Sequence, residues 1–194
     1  MKIDFDFFKI DSRLTPQKGR ILISEPFLPG NFFSRSTVLL VDYSATGAVG
    51  FILNKPFEPK ITDLFAISPG IIPEVFVGGP VSSDSLYYIH TLGAKVKGSI
   101  RIKDELYWGG DFGELKLAIA SGGVQTEQVK FFVGYSGWSA GQLENEILEN
   151  SWLVAEVDTK LVMKSTRNFW LESVRKAGGR YESWQNFPED PNFN

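Results

Sequence analysis

Residues 129–152, VKFFVGYSGWSAGQLENEILENSW, decide the fold because they join two segments of different periodicity. Apolar side chains alternate with other types from Val129 to Val133, which predicts a β-strand. Leu143 and Ile147 lie four residues apart and give the later part of the segment one apolar face, while glutamates and amides cover the rest. This pattern predicts an amphipathic helix, and we expect Leu143 and Ile147 to face the core.

The junction between this strand and this helix carries turn and capping signals. Gly134 and Gly137 favour a tight turn, because glycine adopts backbone angles that a Cβ atom would obstruct. Ser139 and Gln142 have the S-x-x-Q spacing of a capping box, in which each side chain can bind the backbone N–H of the other residue. The sequence therefore predicts a strand, a glycine turn and a capped helix in succession.

Length and composition limit the class of protein. A chain of 194 residues predicts one domain that buries most of its surface without disulfides or metals. It contains no cysteine and one histidine, which excludes disulfides, a cysteine nucleophile and a histidine-rich metal site within one chain. We expect no metal and no cofactor. The net charge of −3 argues against a generic duplex-DNA binder.

The first residues and the hydropathy of the chain predict a cytoplasmic location. The opening sequence MKIDFDFFKID carries acidic side chains where a secretory signal peptide needs an apolar core. No apolar run approaches the ~18 residues of a membrane span. We therefore expect a soluble cytoplasmic protein that does not associate with membranes.

Shorter patterns complete the fold prediction. Strand-like runs precede the helical patterns instead of alternating with them, which favours an α+β fold. The predicted strands are Gly19–Ser24, Thr37–Asp42, Gly47–Pro56, Glu74–Val77, Ser85–Thr91 and Leu153–Val157. Residues 94–103 alternate strictly, which predicts a strand, or a hairpin if the chain turns at Gly98–Ser99. The predicted helices follow Asp111 and Ser165 or Thr166, with one helical turn at Ile61–Ala66.

Two local features add packing expectations. Gly50 lies inside a predicted strand, which indicates a bulge or a close approach of another backbone. In the helix after Asp111, a stripe of Phe112, Leu115 and Ile119 is expected to face inward.

Four motifs together resemble the AlgH/YqgE family of bacterial proteins. The resemblance covers roughly residues 19–178, with the most specific match in the segment quoted first. The matching stretches are the GYxGWxxGQLExEI signature at Gly134–Ile147, the F-x-R-S segment at Phe33–Ser36, the G-x-x-G-x-x-L-N-x-P motif at Gly47–Pro56 and the GGPV motif at Gly78–Val81.

This resemblance implies a fold and a division of the chain. The implied fold is a single α+β domain, with a mixed sheet curled into a pseudo-barrel and helices packed around it. We expect an N-terminal arm at residues 1–18, the AlgH/YqgE-like domain at 19–178 and a C-terminal tail at 179–194. The family is largely uncharacterised, although some members carry a transcriptional-regulator label.

Three glycine-bearing turns suggest a ligand groove. They follow predicted strands at 53–56, 78–81 and 134–142, and ligands often lie where such loops meet above a rigid sheet. The alternative is a buried knot in which the same polar groups only bind one another. The candidate groove residues are Asn54, Gly78, Gly79, Tyr135, Trp138 and Gln142.

No catalytic motif is complete in this sequence. Ser136 lies between a strand and a helix, but a nucleophile elbow needs glycine where Trp138 stands, and the only histidine, His90, precedes the serine. We expect His90 to be a buried, hydrogen-bonded side chain. Glu144 and Glu146 lie in the first turns of their helix and are expected to stabilise its dipole instead of binding a metal. We therefore predict no catalytic residue.

A basic stripe of four side chains offers a weak nucleic-acid site. Its members are Lys95, Lys97, Arg101 and Lys103. They could meet phosphates, but such a stripe is more often the solvent face of an edge strand, where lysine blocks pairing between sheets.

These patterns leave three functions open. The first is a cytoplasmic non-enzymatic binding or transcriptional regulatory protein, whose groove binds an unknown small molecule or protein partner. The alternative is an enzyme that acts on a small phosphorylated or nucleotide substrate in the same groove. A nucleic-acid-binding regulator ranks third, because the chain is acidic overall.

Overall fold

The computed structural model describes residues 9–57 and 74–188, which form an α+β domain around one sheet of nine strands. The strands are β1 (Ile21–Ser24), β2 (Thr37–Ser44), β3 (Gly47–Ile52), β4 (Val75–Val77), β5 (Val81–His90), β6 (Ile100–Lys103), β7 (Leu106–Trp108), β8 (Val129–Ser139) and β9 (Trp152–Ala155). The α-helices are α1 (Phe112–Ala120), α2 (Gln142–Leu148), α3 (Thr159–Met163) and α4 (Phe169–Ala177). Three short 3₁₀ segments span Gly93–Lys95, Thr126–Gln128 and Gly179–Asn186.

Strand β8 organises the sheet, as its alternation predicts. The strand order is β6-β7-β5-β8-β3-β2-β1-β9, with neighbours antiparallel. The first part of β8 also pairs with β4 in parallel, which makes the sheet mixed. The first half of β8, which includes Phe131 and Phe132, pairs with β5. Its second half pairs with β3, from Ser136 onward. One strand therefore connects both halves of the sheet.

The sheet is not closed into a barrel by backbone hydrogen bonds. Its terminal strands β6 and β9 do not pair with each other in the part of the chain described. Side chains link the two ends instead. Glu156, just after β9, accepts hydrogen bonds from Lys103 Nζ of β6 at 2.9 Å and from Arg20 Nε at 2.7 Å. The mixed α+β sheet is thus confirmed, and the pseudo-barrel is not.

Gly50 allows β2 and β3 to approach closely. A Cβ atom added there would lie 2.6 Å from Cγ1 of Val38 and 2.8 Å from the carbonyl oxygen of Leu39. The pairing register of β2 shifts nearby, between Leu40 and Asp42. The expected close approach at Gly50 is therefore confirmed.

The helices pack on the sheet through apolar stripes. Leu143 of α2 is buried in a cluster with Trp138 and Trp152, and Ile147 packs at its edge. This confirms the amphipathic face predicted for α2. In α1, Leu115 and Ile119 are buried as expected, but Phe112 is 37% exposed, so the predicted stripe is one residue too long.

The glycine turn expected at Gly134–Gly137 is wrong. Strand β8 continues through both glycines to Ser139, and α2 begins after Gly141. The capping box forms only in part, because Gln142 Oε1 accepts from the Ser139 backbone N–H at 3.0 Å while no side chain caps the helix. The glycines serve close packing within the sheet, where the carbonyl oxygen of Gly79 faces Gly134.

Three smaller expectations also change. The chain does turn at Lys97–Gly98, but residues 93–95 form a 3₁₀ turn, so neither the strand nor the hairpin expected over 94–103 is present. The hairpin lies further along, where β6 and β7 are joined by Asp104–Glu105. The last long helix starts at Phe169, and α3 precedes it where no helix was predicted. The helical turn predicted at Ile61–Ala66 lies outside the described residues. Within those residues, no helix is long and apolar enough to cross a membrane.

Candidate functional site

The structure does not bring the six candidate groove residues together around one groove. Gly47, at the start of β3, pairs with Ser139, so Gln142 lies near that end of the strand. Asn54 lies beyond Ile52, at the other end. A strand of this length separates them by roughly 20 Å. The six residues instead belong to three separate local arrangements.

The first arrangement is a polar knot around Glu146. Its Oε2 atom accepts hydrogen bonds from Nε1 of Trp138 and Nε1 of Trp152, each at 2.8 Å. Its Oε1 atom accepts from Nε2 of Gln142 at 3.0 Å. Both indoles are buried, so the carboxylate satisfies donors that would otherwise be buried without a partner. The sequence indicated only a helix-dipole role for Glu146, although Gln142 and Glu146 have the i, i+4 spacing of a helical pair.

The second arrangement is a close backbone contact between the Gly78–Val81 turn and β8. A Cβ atom on Gly78 would lie 2.2 Å from the Gly134 carbonyl oxygen, and one on Gly79 would lie 2.3 Å from the Tyr135 carbonyl. The Gly78 backbone N–H donates to Val133 at 2.8 Å, so it is not available to a phosphate. These glycines pack the turn against the strand.

Ser136 and Tyr135 are part of the same contact. Ser136 is fully buried, and its hydroxyl donates to the Gly78 carbonyl at 3.0 Å, so it cannot meet a substrate. The half-buried Tyr135 ring packs edge-to-face on Tyr87, with centroids 5.5 Å apart. Neither residue is among the described residues that line the cleft beside Asn54.

The third arrangement holds Asn54 against the chain that leads into β2. Its Oδ1 atom accepts from the Thr37 backbone N–H at 2.9 Å, and its Nδ2 atom donates to the Arg35 carbonyl at 2.9 Å. Asn54 is 6% exposed. Arg35 has a φ of 47°, a left-handed angle that is uncommon for a residue with a Cβ atom and often marks a functional site. Asn54 therefore fixes the turn that presents Arg35.

Arg35 and Asn54 open onto a cleft of about 580 Å³, which we call the cationic cleft. Its basic side chains are Arg35, Lys55 and Arg167, and no aspartate or glutamate is among the described residues that line it. The neutral polar lining is Asn31, Ser34, Asn54 and Asn168. The apolar lining is Pro56, Trp170 and Leu171.

The Arg35 guanidinium is held on several sides. It lies 5.0 Å from the centroid of the Trp170 ring, a cation–π contact. Its Nη2 atom donates to the carbonyl oxygens of Phe187 and Pro188 at 2.5 and 2.7 Å. The Nε atom is buried and has no hydrogen-bond partner among the described residues. The positive charge is therefore fixed in place while its donor capacity is only partly used.

Lys55 adds a second cation that is partly removed from water. Its Nζ atom donates to the Asn31 carbonyl oxygen at 2.7 Å. Burial lowers the pKa of Lys55, and no carboxylate of residues 9–57 or 74–188 opposes that shift. An anion in the cleft would supply the missing negative charge.

A larger cleft of about 870 Å³ lies between β9, α4 and the segment before β1. Its charges balance, because its described lining contains three basic and three acidic side chains. The basic ones are Arg13, Lys176 and Arg180, and the acidic ones are Asp11, Glu156 and Glu172. Because cavity size carries no chemistry by itself, we take the smaller cationic cleft as the candidate site.

His90 is a buried structural histidine. Its Nδ1 atom accepts from the Leu92 backbone N–H at 3.2 Å, which assigns the proton to Nε2. The Nε2 atom lies 3.0 Å from Ser99 Oγ and 3.2 Å from the Gly109 carbonyl oxygen. Burial lowers the pKa of His90, so the ring is held neutral.

The basic stripe is divided between two elements. Lys95 ends a 3₁₀ turn and Lys97 follows it, whereas Arg101 and Lys103 lie on β6, at one end of the sheet. Arg101 Nε donates to the Asp104 carbonyl oxygen at 2.7 Å, and Lys103 binds Glu156. The four side chains therefore do not form one continuous row. Elsewhere, residues 9–57 and 74–188 contain no group of three or more His, Asp or Glu side chains placed to hold a metal ion.

Comparison with known proteins identifies the family. The AlgH-like family profile matches residues 21–182. A UPF0301 protein from Bacteroides thetaiotaomicron is 42% identical over 198 aligned residues, and the alignment covers 100% of both chains. Another UPF0301 protein, from Cytophaga hutchinsonii, is 41% identical, with 91% of this chain and 98% of its own length aligned.

Two solved structures share the fold. The solution structure of AlgH from Pseudomonas aeruginosa has a TM-score of 0.68 and 26% identity, covering 87% of this chain and 93% of its own. A crystal structure of a Corynebacterium diphtheriae protein has a TM-score of 0.76 and 19% identity, covering 91% of this chain and 95% of its own. Because the family profile spans most of the sequence, the chain belongs to the AlgH-like family.

Proposed function

We propose that this protein is a non-enzymatic binding protein whose ligand is a small anion held in the cationic cleft. One observation carries the proposal. Arg35 and Lys55 are both partly buried in a cleft whose described lining contains no carboxylate. Partly desolvated cations without an opposing charge are costly, and a bound anion offsets that cost. Arg167 adds a third positive charge to the same lining.

The composition of the cleft favours binding over catalysis. Its described lining contains neither a carboxylate nor a histidine, the groups that most often act as general bases. Ser136 and His90, which could have taken part in an acyl transfer, are buried and hydrogen-bonded elsewhere. A protein that binds a small anion without turning it over can report its concentration, which supports a regulatory role.

Titration with inorganic phosphate tests this proposal. Calorimetry on the full chain should show saturable binding of phosphate, beyond any effect of sodium chloride at equal ionic strength. Lys55→Met should weaken binding about tenfold, the usual worth of one charge-assisted hydrogen bond. Lys95→Met, which removes an exposed lysine outside the cleft, should bind phosphate like the parent protein.

Two outcomes would count against an anion-binding function. The first is a heat signal that sodium chloride reproduces at the same ionic strength. The second is an equal loss of binding in Lys55→Met and Lys95→Met, which would place the interaction on the general surface charge.

A further inference from the structure

We infer that the ligand of the cationic cleft is a phosphorylated polyol, of the sugar-phosphate class, and not a nucleotide; this inference rests on the anion-binding function proposed above. Three features of the lining lead to it: the concentration of positive charge, the uncommitted neutral polar side chains, and the lack of an accessible aromatic face.

The charged end of the cleft suits a phosphate dianion. Three basic side chains are among the described lining, and the first turn of α4 contributes Trp170 and Leu171 to it. A helix N-terminus carries partial positive charge and is favourable for phosphate. The Arg35 guanidinium contributes its positive charge to the cleft, although its Nη2 atom donates to two backbone carbonyls and its Nε atom is buried. A fixed guanidinium charge is favourable beside a phosphate group.

The remainder of the cleft presents hydrogen-bonding groups that are not yet used. The side chains of Asn31, Ser34 and Asn168 form no hydrogen bonds with the rest of the described chain. Two amides and one hydroxyl can each donate and accept, as the hydroxyl groups of a polyol require. Asn31 and Asn168 are exposed, so the hydroxyl groups of a bound polyol would take the place of water on these side chains.

The described lining of the cleft offers no open aromatic face on which a nucleobase could stack. Trp170 is the only aromatic residue among the described lining, and it is 2% exposed. Arg35 covers its ring face, and its indole N–H donates to the Ser24 carbonyl oxygen at 3.0 Å. Stacking needs an open ring face. The volume of about 580 Å³ falls within the usual range for small-molecule sites.

Calorimetry on the full chain with five probes tests this assignment. The probes are glucose 6-phosphate, ribose 5-phosphate, AMP, inorganic phosphate and glucose. We expect both sugar phosphates to bind at least about tenfold more tightly than AMP or inorganic phosphate, and glucose not to bind, since the charge is essential. Ser34→Ala and Asn168→Ala should each weaken glucose 6-phosphate several-fold and leave inorganic phosphate unchanged. Asn145→Ala, at an exposed position of α2 outside the cleft, is the matched control.

The outcomes separate the two proposals. If inorganic phosphate binds as tightly as the sugar phosphates, or if AMP binds as tightly, the polyol assignment is wrong while the anion-binding function stands. The same holds if Ser34→Ala and Asn168→Ala weaken inorganic phosphate as much as glucose 6-phosphate. If none of the four phosphate-bearing probes binds, the anion-binding function itself is wrong.

Discussion

The side-chain amide of Asn54 donates a hydrogen bond from Nδ2 to the backbone carbonyl of Arg35, at 2.9 Å. The other end of the amide accepts from the Thr37 backbone N–H. Asn54 thus holds both sides of the turn that carries Arg35 into the cationic cleft. Under the proposed function, Asn54 positions the Arg35 side chain, and its own amide oxygen and nitrogen already bind the backbone.

Substitution of Asn54 by alanine should therefore affect both stability and binding. Loss of the acceptor leaves the buried Thr37 N–H without a partner, which costs roughly 1–3 kcal/mol of unfolding free energy. Phosphate affinity should also fall, because the Arg35 turn loses its anchor. Urea unfolding and phosphate calorimetry measure the two effects. A variant that unfolds like the parent protein but binds phosphate less tightly would show that Asn54 contacts the ligand directly.

The Glu146 knot should matter for folding and not for binding. In Glu146→Ala the indole N–H groups of Trp138 and Trp152 both lose their acceptor. Each buried unpaired donor costs roughly 1–3 kcal/mol, so we expect at least about 2 kcal/mol of destabilisation in urea. Phosphate binding by the folded fraction should not change. Glu149→Ala, which changes an exposed glutamate after α2, is the control. Equal destabilisation in both variants would contradict the role of Glu146 as the acceptor for the two buried indoles.

Leu143 and Leu148 provide a matched pair on α2. Leu143 is 1% exposed, whereas Leu148 is 79% exposed. Leu143→Ala should cost about 2–5 kcal/mol, because it removes buried methyl groups and leaves a cavity. Leu148→Ala should change unfolding by less than about 0.5 kcal/mol. Equal unfolding midpoints for the two variants would contradict the observed orientation of α2.

The alternation of apolar residues in the sequence located β8, and the repeat of about 3.6 residues located α2 and its buried Leu143. Burial itself does not alternate in β8, because all four residues of 129–132 are buried, so the pattern predicted the strand and not the covering of both its faces. The glycines of β8 misled the prediction, since glycine serves both turns and close packing. A Cβ atom on Gly134 would lie 2.6 Å from the carbonyl oxygen of Gly79, so only glycine fits there. The two residues are 55 positions apart in the chain, and no local pattern predicts their contact.

The candidate site was predicted only through Asn54. Arg35, Lys55 and Arg167 come from separate parts of the chain, and only the β2–β3 pairing and the docking of α4 bring them together. Arg35 is the arginine of the F-x-R-S segment and Lys55 lies in the L-N-x-P motif, but neither was considered for binding, since each is a single basic residue without a charged run. Trp138 and Gln142, which stood out most, satisfy Glu146 instead.

Lys130 should make the stability of the protein depend on pH above neutrality. Its ammonium group is buried, donates to the carbonyl oxygen and Oγ of Ser165, both at 2.6 Å, and lies 4.0 Å from the centroid of the Phe76 ring. Burial lowers the pKa of Lys130 to about 8, and the Glu74 carboxylate opposes that shift. In the unfolded chain a lysine has a pKa of about 10.4.

Between those two pKa values the unfolded chain keeps a proton that the folded protein has released, so the contribution of Lys130 to stability rises as pH increases. Below about pH 8 both states are protonated, and the cost of burying the charge is present in full. We expect urea unfolding to give the difference in unfolding free energy between the parent protein and Lys130→Met at pH 7 and at pH 10. From pH 7 to pH 10 this difference should shift by roughly 2–3 kcal/mol in favour of the parent protein. Taking the difference between the two proteins at each pH cancels the effects of other groups that titrate in this range. Lys95→Met, at an exposed lysine, is the control, and a difference between the parent and Lys130→Met that does not change with pH would contradict the prediction.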